Sequence, residues 1–547
     1  MKRNKLLQIG VPLMIIGALL VGFIIGIKLP ENRSNIKYKI TAADKVNEIL
    51  ALINEKYVDE VSLDSIVEAT IPAMLANLDP HTAYIPASDL ENVNSELEGS
   101  FSGIGVQFNI TSDTVRVVEV ISGGPSERVG LRAGDRIVQV NDSDITGSRT
   151  TSNDVFNLLR GKKGTKVKLG VRRAGDDNLL SFDVIRGEIP VTSIDASYMI
   201  APKVGYVKVN KFSRNTYQEF FTDMMMLRQE GAEDFIIDLR GNGGGYLDMA
   251  VSMANEFLPR GASIVEIRGR NDIRDTKIPA DGTGTFQQGR VVVLMDEFSA
   301  SASEIVAGAL QDNDRALVVG RRSFGKGLVQ EQFDLSDGSA IRVTNKRYYT
   351  PSGRSIQKPF KPGKIDDYTL EIYDRLASGE AFNADSVHPD PNLLFHTLGG
   401  RDVYGGGGIM PDLFVATDTT NHTGYLTQVV NGGLIHRFAF EYADKNRAKL
   451  SQATSSDDLM RRLPSNDALL NEFVEFAAAN GVPARWYYIN ISRPVIVNHL
   501  KALIASNTLG TAAYYELVNA NDKVVESALK AIEAGNANTP ITNAAKK

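Results

Sequence analysis

Apolar and polar positions follow different periods along this chain, and the changes of period divide it into regions. Residues 6–27 are almost continuously apolar, with Gln8 as the one strongly polar position, close to the ~20 residues that cross a bilayer. From 41 to 98 the apolar positions recur at helical spacing, as in Val46, Ile49, Leu50, Ile53 and again in Ile66, Ile71, Met74, Leu75, with a break at Leu78-Asp79-Pro80-His81. A small helical region is expected there. Between Gly99 and about Arg186 the texture turns to short strand-like runs parted by glycines, among them FSGIGVQF, VRVVEVI, GLRAGDRIVQVN, VKLGVRR and LLSFDVIRG, with a helical stretch DVFNLLRG. These predict a compact barrel-like module. From about Ile189 to Val415 strands alternate with helices, as in VGYVKVN, YQEFFTDMMMLRQEG, DFIIDLRGNGGG, LDMAVSMANEFL, RVVVLMDE, SEIVAGALQD and RALVVGRR. That alternation predicts an α/β domain with an at least partly parallel sheet. The stretch from about Pro359 to Gly408, rich in Pro, Asp and Gly, fits poorly and reads as an insertion. Beyond Asp418 the pattern is helical again, and the polar end from about Gly535 is expected to be disordered.

The expected organisation is multidomain α/β: a membrane anchor at 1–30, a helical region at 31–98, a β-rich module at 99–188, an α/β domain at 189–418 with its insertion at about 359–407, a helical C-terminal domain at 419–534 and a tail at 535–547. Lys2, Arg3 and Lys5 precede the apolar run, and Lys28, Arg33, Lys37 and Lys39 follow it. The length of the run favours an uncleaved signal anchor over a cleaved signal, and the positive-inside rule places the amino terminus in the cytoplasm, though the basic residues beyond the run weaken that signal. The expected setting is a bacterial inner membrane, crossed once, with the body in the periplasm. Apolar content of 43%, charged content of 23% and a net charge of −6 over 547 residues are ordinary for a folded soluble body and carry no signature of nucleic acid. With no cysteine in the chain, disulfides, thiolate metal sites and a cysteine nucleophile are excluded.

The chemistry concentrates between 290 and 330. An apolar strand, Val291 to Met295, runs into a loop of small residues; a helix opens at the Ala-Ser-Ala-Ser-Glu run; and a second strand is expected to end in Phe324-Gly325-Lys326-Gly327. A serine hydroxyl needs a base, most often histidine. None of His81, His388, His396, His422, His436 and His499 sits beside a small-residue turn of the kind that exposes a serine. A buried lysine can serve, because desolvation brings its pKa down from ~10.4 toward ~7–8. An aligned pair holds hydroxyl and amine ~2.6–3.2 Å apart, and a closed resting state holds them further apart. A serine at a helix start also has unpaired amides beside it that can form an oxyanion hole, and Arg240-Gly241-Asn242-Gly243-Gly244-Gly245 offers further amides where strand DFIIDL enters a glycine turn. Each feature also has a plain structural reading: the serine run as an N-cap, Lys326 as a solvated lysine, the glycines as a turn. Spacing alone leaves Ser299, Ser301 and Ser303 open. The match of Gly320-x-x-x-x-Gly325-Lys326 to a phosphate loop fails at Gly327, where a Ser or Thr should hold the metal, and the acidic strand stands before the loop when it should follow.

Taken together the motifs resemble the carboxy-terminal processing peptidases, or tail-specific proteases, which are serine peptidases with a Ser/Lys dyad. The resemblance spans roughly 40 to 415 and rests on Leu78-Asp-Pro-His81, Asp238-Leu-Arg-Gly-Asn-Gly-Gly-Gly245, Ser299-Ala-Ser-Ala-Ser-Glu304, Phe324-Gly-Lys-Gly-Leu-Val-Gln330, Tyr349-Thr-Pro-Ser-Gly-Arg354 and Gly408-Ile-Met-Pro-Asp412. It implies a ClpP/crotonase-like protease domain in which Ser301 is the nucleophile, Lys326 the general base and Gln330 its orienting partner. Ala302 with Gly243 or Gly244 would supply the oxyanion amides. The β-rich module resembles a PDZ domain, with Gly103, Ile104, Gly105 and Val106 as the loop that takes a peptide carboxylate and Gly130-Leu-Arg-Ala-Gly-Asp135 in its accompanying signature. The implied partners are proteins with apolar carboxy termini, the membrane through the anchor, and a second copy of the chain as a candidate; no cofactor or metal is called for. The competing reading is an inactive PDZ scaffold at the membrane.

Overall fold

The computed structural model of the chain describes residues 41–535 apart from 112–113, 122, 148–150, 174 and 271–274. The apolar run at 6–27 and the polar end from 536 onward lie outside the described residues. Among the described residues no helix is long and apolar enough to cross a membrane.

Helices Ala42–Lys56 and Leu63–Leu75 form where the apolar spacing predicts them. The first is opened by Thr41, whose hydroxyl accepts from the Asp44 amide (3.2 Å) while its own amide donates to Asp44 Oδ2 (2.8 Å), a reciprocal cap of two orphan groups. The helical reading of 41–98 then breaks. Asp79 gathers the amides of His81 (2.8 Å) and Thr82 (2.9 Å) on one oxygen. Ala83–Ile85 becomes a strand pairing antiparallel with Ala340–Tyr349, Tyr84 opposite Ile341. A three-residue strand has no signal of its own; its conformation is set by the edge it joins. Helix Ala87–Glu98 follows and stops at Gly99 in the left-handed region (φ 72°).

The β-rich module is an antiparallel sheet in the order Val106–Thr111, Thr114–Val120, Arg136–Val140, Lys166–Arg172, Leu180–Ile185. Val115, Val117, Ile137, Val167 and Leu169 point inward and are fully buried, with Val155 and Leu159 of helix Ser152–Leu159 closing the same core. Asp135 is buried, and both its oxygens are held by Arg173 at 2.7 Å. A two-stranded ribbon, Ser100–Gly103 against Gly187–Pro190, joins the module to the rest of the chain.

The α/β domain carries a sheet in the order Ile194–Ala201, Val204–Val209, Asp234–Asp238, Val291–Met295, Leu317–Gly320, Leu413–Phe414. The first pair is antiparallel and the others parallel. Both faces are covered, so the inner strands read as unbroken apolar runs. On one face Val207, Val209, Ile237, Val291 and Val293 pack with helices Thr216–Gln229, Leu247–Asn255 and Ala302–Asp312. On the other, Tyr206, Ile236, Val292 and Leu294 meet Val524, Val525, Ala528 and Ile532 of the last helix, Lys523–Glu533. A second sheet brings together Ala83–Ile85, Ala340–Tyr349, Ser263–Gly269, Thr276–Pro279 and Leu328–Asp334. The strand expected to end in Phe324–Gly327 stops earlier, at Gly320, so Lys326 sits in the loop leading to Leu328–Asp334.

The 359–407 stretch holds helix Ile365–Ala377 and the hairpin Leu394–His396 with Asp402–Tyr404. It braces that loop from behind. Arg322 is forked onto Glu380 (2.5 and 2.6 Å), and Arg375 donates to the Ser323 carbonyl (3.0 Å). From 424 onward the chain is helical with a core of its own, including Leu469, Phe473, Ile496 and Leu500.

Candidate active site

Ser301 stands between strand Val291–Met295 and helix Ala302–Asp312 with φ 56° and ψ −112°. A side-chain-bearing residue at positive φ is strained by roughly 1–3 kcal/mol and persists only where its surroundings enforce it. Gly244 is one enforcer: a Cβ there would lie 2.8 Å from both the Ala300 oxygen and Ser301 Cβ, so only glycine lets the two turns approach this closely. Asn242 is another, its carbonyl taking the Ala300 amide (3.0 Å) and the Ser303 hydroxyl (2.9 Å).

The three serines of the run differ in their surroundings. Ser299 Oγ donates to the Leu239 carbonyl at 2.9 Å and Ser303 Oγ to the Asn242 carbonyl, and both side chains are fully buried. Ser301 lines a cleft of about 760 Å³ with Gly243, Gly244, Ala302, Lys326 and Gln330. The sequence-derived catalytic and oxyanion residues therefore share one cavity. Leu247, Ile305, Leu328 and Tyr348 give it an apolar side, while Arg342, Asn345 and Lys346 form a polar rim.

Lys326 Nζ donates to Gln330 Oε1 (2.9 Å), and Gln330 Nε2 donates to the His81 carbonyl. No carboxylate pairs with Lys326 among the described residues. Burial pushes its amine below the ordinary lysine value, the Arg342 charge adds to this, and the Glu304 and Asp79 charges oppose it. No hydrogen bond joins Ser301 Oγ to Lys326 Nζ among the described contacts, so the pair is in the looser arrangement. The Gly244 amide already donates to Asn242 Oδ1 (2.9 Å). Those of Gly243 and Ala302 have no partner among the described residues and are the two available donors.

His81 was not singled out in the sequence for any part in this cleft. Its carbonyl holds Gln330, and its Nε2 lies 2.9 Å from the Tyr368 hydroxyl. Burial, with the Lys326 charge second, pushes its imidazole down to about 4. Only the Leu78-Asp-Pro-His81 motif pointed toward it. Arg342 and Tyr348 lie in a strand whose pattern, polar and apolar mixed, carries no sign of a site.

In the β-rich module, Gly103 ends the connecting ribbon, Ile104 is buried in the core, Gly105 has φ 75°, and Val106 starts the strand beside helix Ser152–Leu159. The carbonyls of Ile104 and Gly105 accept from Ser126 and Ile121, both at 3.0 Å. The amides of Ile104 and Gly105 have no partner among the described residues. Phe108 and Phe156 meet with ring centroids 4.8 Å apart across the groove between that strand and that helix.

Residues 203–369 match peptidase family S41, residues 102–185 match the PDZ domain, and residues 425–510 match a family of unknown function. A carboxy-terminal-processing protease of Bartonella bacilliformis is 33% identical over 333 residues, covering 60% of this chain and 75% of that protein. The carboxy-terminal processing protease CtpA of Bacillus subtilis is 31% identical over 335 residues, covering 60% and 71%. Among solved structures, a photosystem II D1 C-terminal processing protease is 27% identical, covering 68% of this chain and 92% of that one, with a TM-score of 0.35. The chain belongs to the carboxy-terminal processing proteases of peptidase family S41 and is a serine-type peptidase carrying a PDZ domain.

Proposed function

We propose that this protease cuts protein tails with Ser301 as nucleophile and Lys326 as general base, Gln330 orienting the lysine and the amides of Ala302 and Gly243 receiving the oxyanion. The observation that supports this best is the state of the lysine: its amine is disfavoured as a cation, lacks a carboxylate partner among the described residues, and lies in one cleft with Ser301. A neutral amine that donates to Gln330 Oε1 keeps its lone pair for the serine proton. Lys326 takes that proton as Ser301 Oγ bonds the scissile carbonyl carbon, and returns it to the leaving amine as the C–N bond breaks. Water then adds to the acyl ester, its proton passes through Lys326 to Ser301 Oγ, and the product leaves as a carboxylic acid. Each oxyanion donor is commonly worth ~3 kcal/mol in the transition state.

Substrate selection is assigned to the PDZ module. A tail adds as a strand along Val106–Thr111, its terminal carboxylate on the amides of the Gly103–Val106 loop and its apolar side chain toward the core. The run at 6–27 anchors the protein in a bacterial inner membrane with the body in the periplasm, a setting to be tested by fractionation and by protease protection of intact spheroplasts.

Ser301→Ala and Lys326→Ala are each expected to abolish cleavage of a peptide with a free apolar carboxy terminus. Parental rates in both would remove the dyad, and failure of the unmodified chain to cut any such peptide would leave the scaffold reading. Amidating the peptide's end is expected to raise KM, and unchanged turnover at all concentrations would remove carboxylate capture.

A further inference from the structure

The dyad residues are 25 positions apart in the chain, and Lys326 lies in a loop without regular structure. Two side chains, Glu304 behind the cleft and Tyr348 in its wall, join them. Glu304 is fully buried, and its carboxylate collects four donors: the amides of Ser301 (2.8 Å) and Lys326 (2.9 Å) on Oε2, and the Gly325 amide (2.8 Å) and Ser323 hydroxyl (2.5 Å) on Oε1. Tyr348, also buried, directs its hydroxyl to the carbonyls of Ser301 (3.1 Å) and Lys326 (2.6 Å). The amide and the carbonyl of the nucleophile thus end on the same two side chains as the amide and the carbonyl of the base.

Helix capping explains only a part of this. A Glu three residues after an N-cap bonds the N-cap amide, which accounts for the contact to Ser301. The contacts to 323, 325 and 326 lie outside the helix. Burying a carboxylate with no cation paired to it is expensive, and burial does push the Glu304 acid above its ordinary value. The charge is tolerated because three backbone N–H groups, which can only donate, point at it. A neutral acid in this position could direct its proton only at the Ser323 hydroxyl, the one of the four donors that can also accept.

We propose that Glu304 and Tyr348 are positioning residues for the reaction, a clasp that holds the main chains of Ser301 and Lys326 at a fixed spacing and enforces the left-handed backbone of the nucleophile. The proposal rests on the Ser301/Lys326 reading. Neither side chain need touch the substrate; each acts through the backbone to which the reacting group is attached. A displacement of about 1 Å between such groups costs ~10²-fold in rate.

The two members of the clasp are distinguishable because only one carries charge. Charged or titratable groups around the Lys326 amine include Arg342, Lys346 and Tyr348 on Ala340–Tyr349, Glu331 on Leu328–Asp334, Glu98 on Ala87–Glu98, Tyr246 and Asp248 at the start of Leu247–Asn255, Asp79 and His81 before Ala83–Ile85, and Glu304 on the serine helix. Burial favours the neutral form of His81. Glu304→Gln removes one negative charge, which destabilises the Lys326 cation and moves the acid limb of kcat/KM to lower pH. Tyr348→Phe leaves the charge in place and the limb where it was.

The test uses the full chain, a peptide with a free apolar carboxy terminus, and Lys326→Ala as reference. In Glu304→Gln, kcat is expected to fall ~10²-fold with KM within twofold and the acid limb displaced to lower pH. In Tyr348→Phe, kcat is expected to fall about 10-fold with KM and limb unchanged, one bridge of the two being lost. Parental kcat in both, with unfolding temperatures showing them folded, overturns the clasp; so does a change confined to KM. If Glu304→Gln does not fold, Tyr348→Phe decides alone, since it removes a single oxygen. An active Lys326→Ala would overturn the dyad and the clasp together, whereas an inactive Lys326→Ala beside parental Glu304→Gln and Tyr348→Phe would overturn the clasp only.

Discussion

The catalytic cleft and the helical extension from 424 onward are built on opposite terms. The cleft draws on residues scattered from 79 to 348, and most of them are polar groups whose partners are individually specified: Lys326 to Gln330, Gln330 to the His81 carbonyl, Glu304 to four donors. The extension is held by packed aliphatic and aromatic side chains, in a core of its own and, through its last helix, against the protease sheet, with charged contacts such as Arg240 with Asp522 (2.7 Å) and Arg116 with Asp444 (2.9 Å) beside them. In the cleft, identity matters more than amount; in the extension, the area buried matters more than any one residue. The same kind of mutation therefore produces loss of rate in one region and loss of fold in the other.

The largest expected effect lies in the extension. The last helix, Lys523–Glu533, covers one face of the central sheet, so ending the chain at 521 exposes Tyr206, Ile236, Val292 and Leu294. Losing Val524, Val525 and Ile532 removes about 5–9 kcal/mol of burial, comparable with the ~5–15 kcal/mol that hold a domain folded. The truncated chain is expected to be insoluble or to lose its cooperative unfolding transition. A soluble, active product would show that the extension is a separate appendage and erase the contrast.

Next in size is the pH dependence of the cleft. In the proposed dyad Lys326 works only as the neutral amine, so activity should fall on acidification as it takes up its proton, at a pH below the ordinary lysine range because burial and Arg342 disfavour the cation. Arg342→Gln removes a positive charge, so the Lys326 amine holds its proton to higher pH and the acid limb of kcat/KM should shift upward. A limb that stays in place would assign it to another group.

Asp522 offers a smaller effect that joins the two regions. It caps the last helix through the amides of Val524 (2.7 Å) and Val525 (3.2 Å), and its other oxygen holds Arg240 at the base of the glycine turn. Asp522→Ala should lower stability by about 1–3 kcal/mol, as cap and partly buried pair are lost together, and Asp522→Asn by less, since it can still cap. Equal losses in the two variants, read from denaturant unfolding, would show that the Arg240 pair carries the effect without the cap. The smallest effect belongs to Asp444→Ala, which should cost about 0.2–1 kcal/mol, fading with added salt as a half-exposed pair does.

What the sequence made legible follows the same division. That Ser301, Lys326 and Gln330 would share a cleft could be expected because a serine without a nearby histidine demands another base, and because the surrounding motifs are specific. Tyr348 and the His81 carbonyl could not: a tyrosine in a mixed strand and a backbone oxygen leave no residue-type signal, and their role arises only from strand pairing between segments more than 240 residues apart. Gly243 and Gly244 were equivalent in sequence, and the Asn242 side chain, by taking the Gly244 amide, separates them. In the extension, amphipathic spacing predicted the helices. Nothing in Val524, Val525, Ala528 and Ile532 says which apolar surface they cover, so the last helix was grouped with its neighbours in sequence when its packing partners are the strands of the protease sheet. Ala83–Ile85 was absorbed into a helical region for the same reason.

The central claim, that Lys326 is a neutral base at rest, can be measured without turnover. In the full-length Ser301→Ala protein, the side-chain NMR resonances of Lys326, assigned by their loss in Lys326→Arg, report the pH at which the amine gains its proton. The account predicts a midpoint well below the ~10.4 of an ordinary lysine, with Arg342→Gln moving it up and Glu304→Gln moving it down. A midpoint at or above the ordinary value, indifferent to both substitutions, would contradict it.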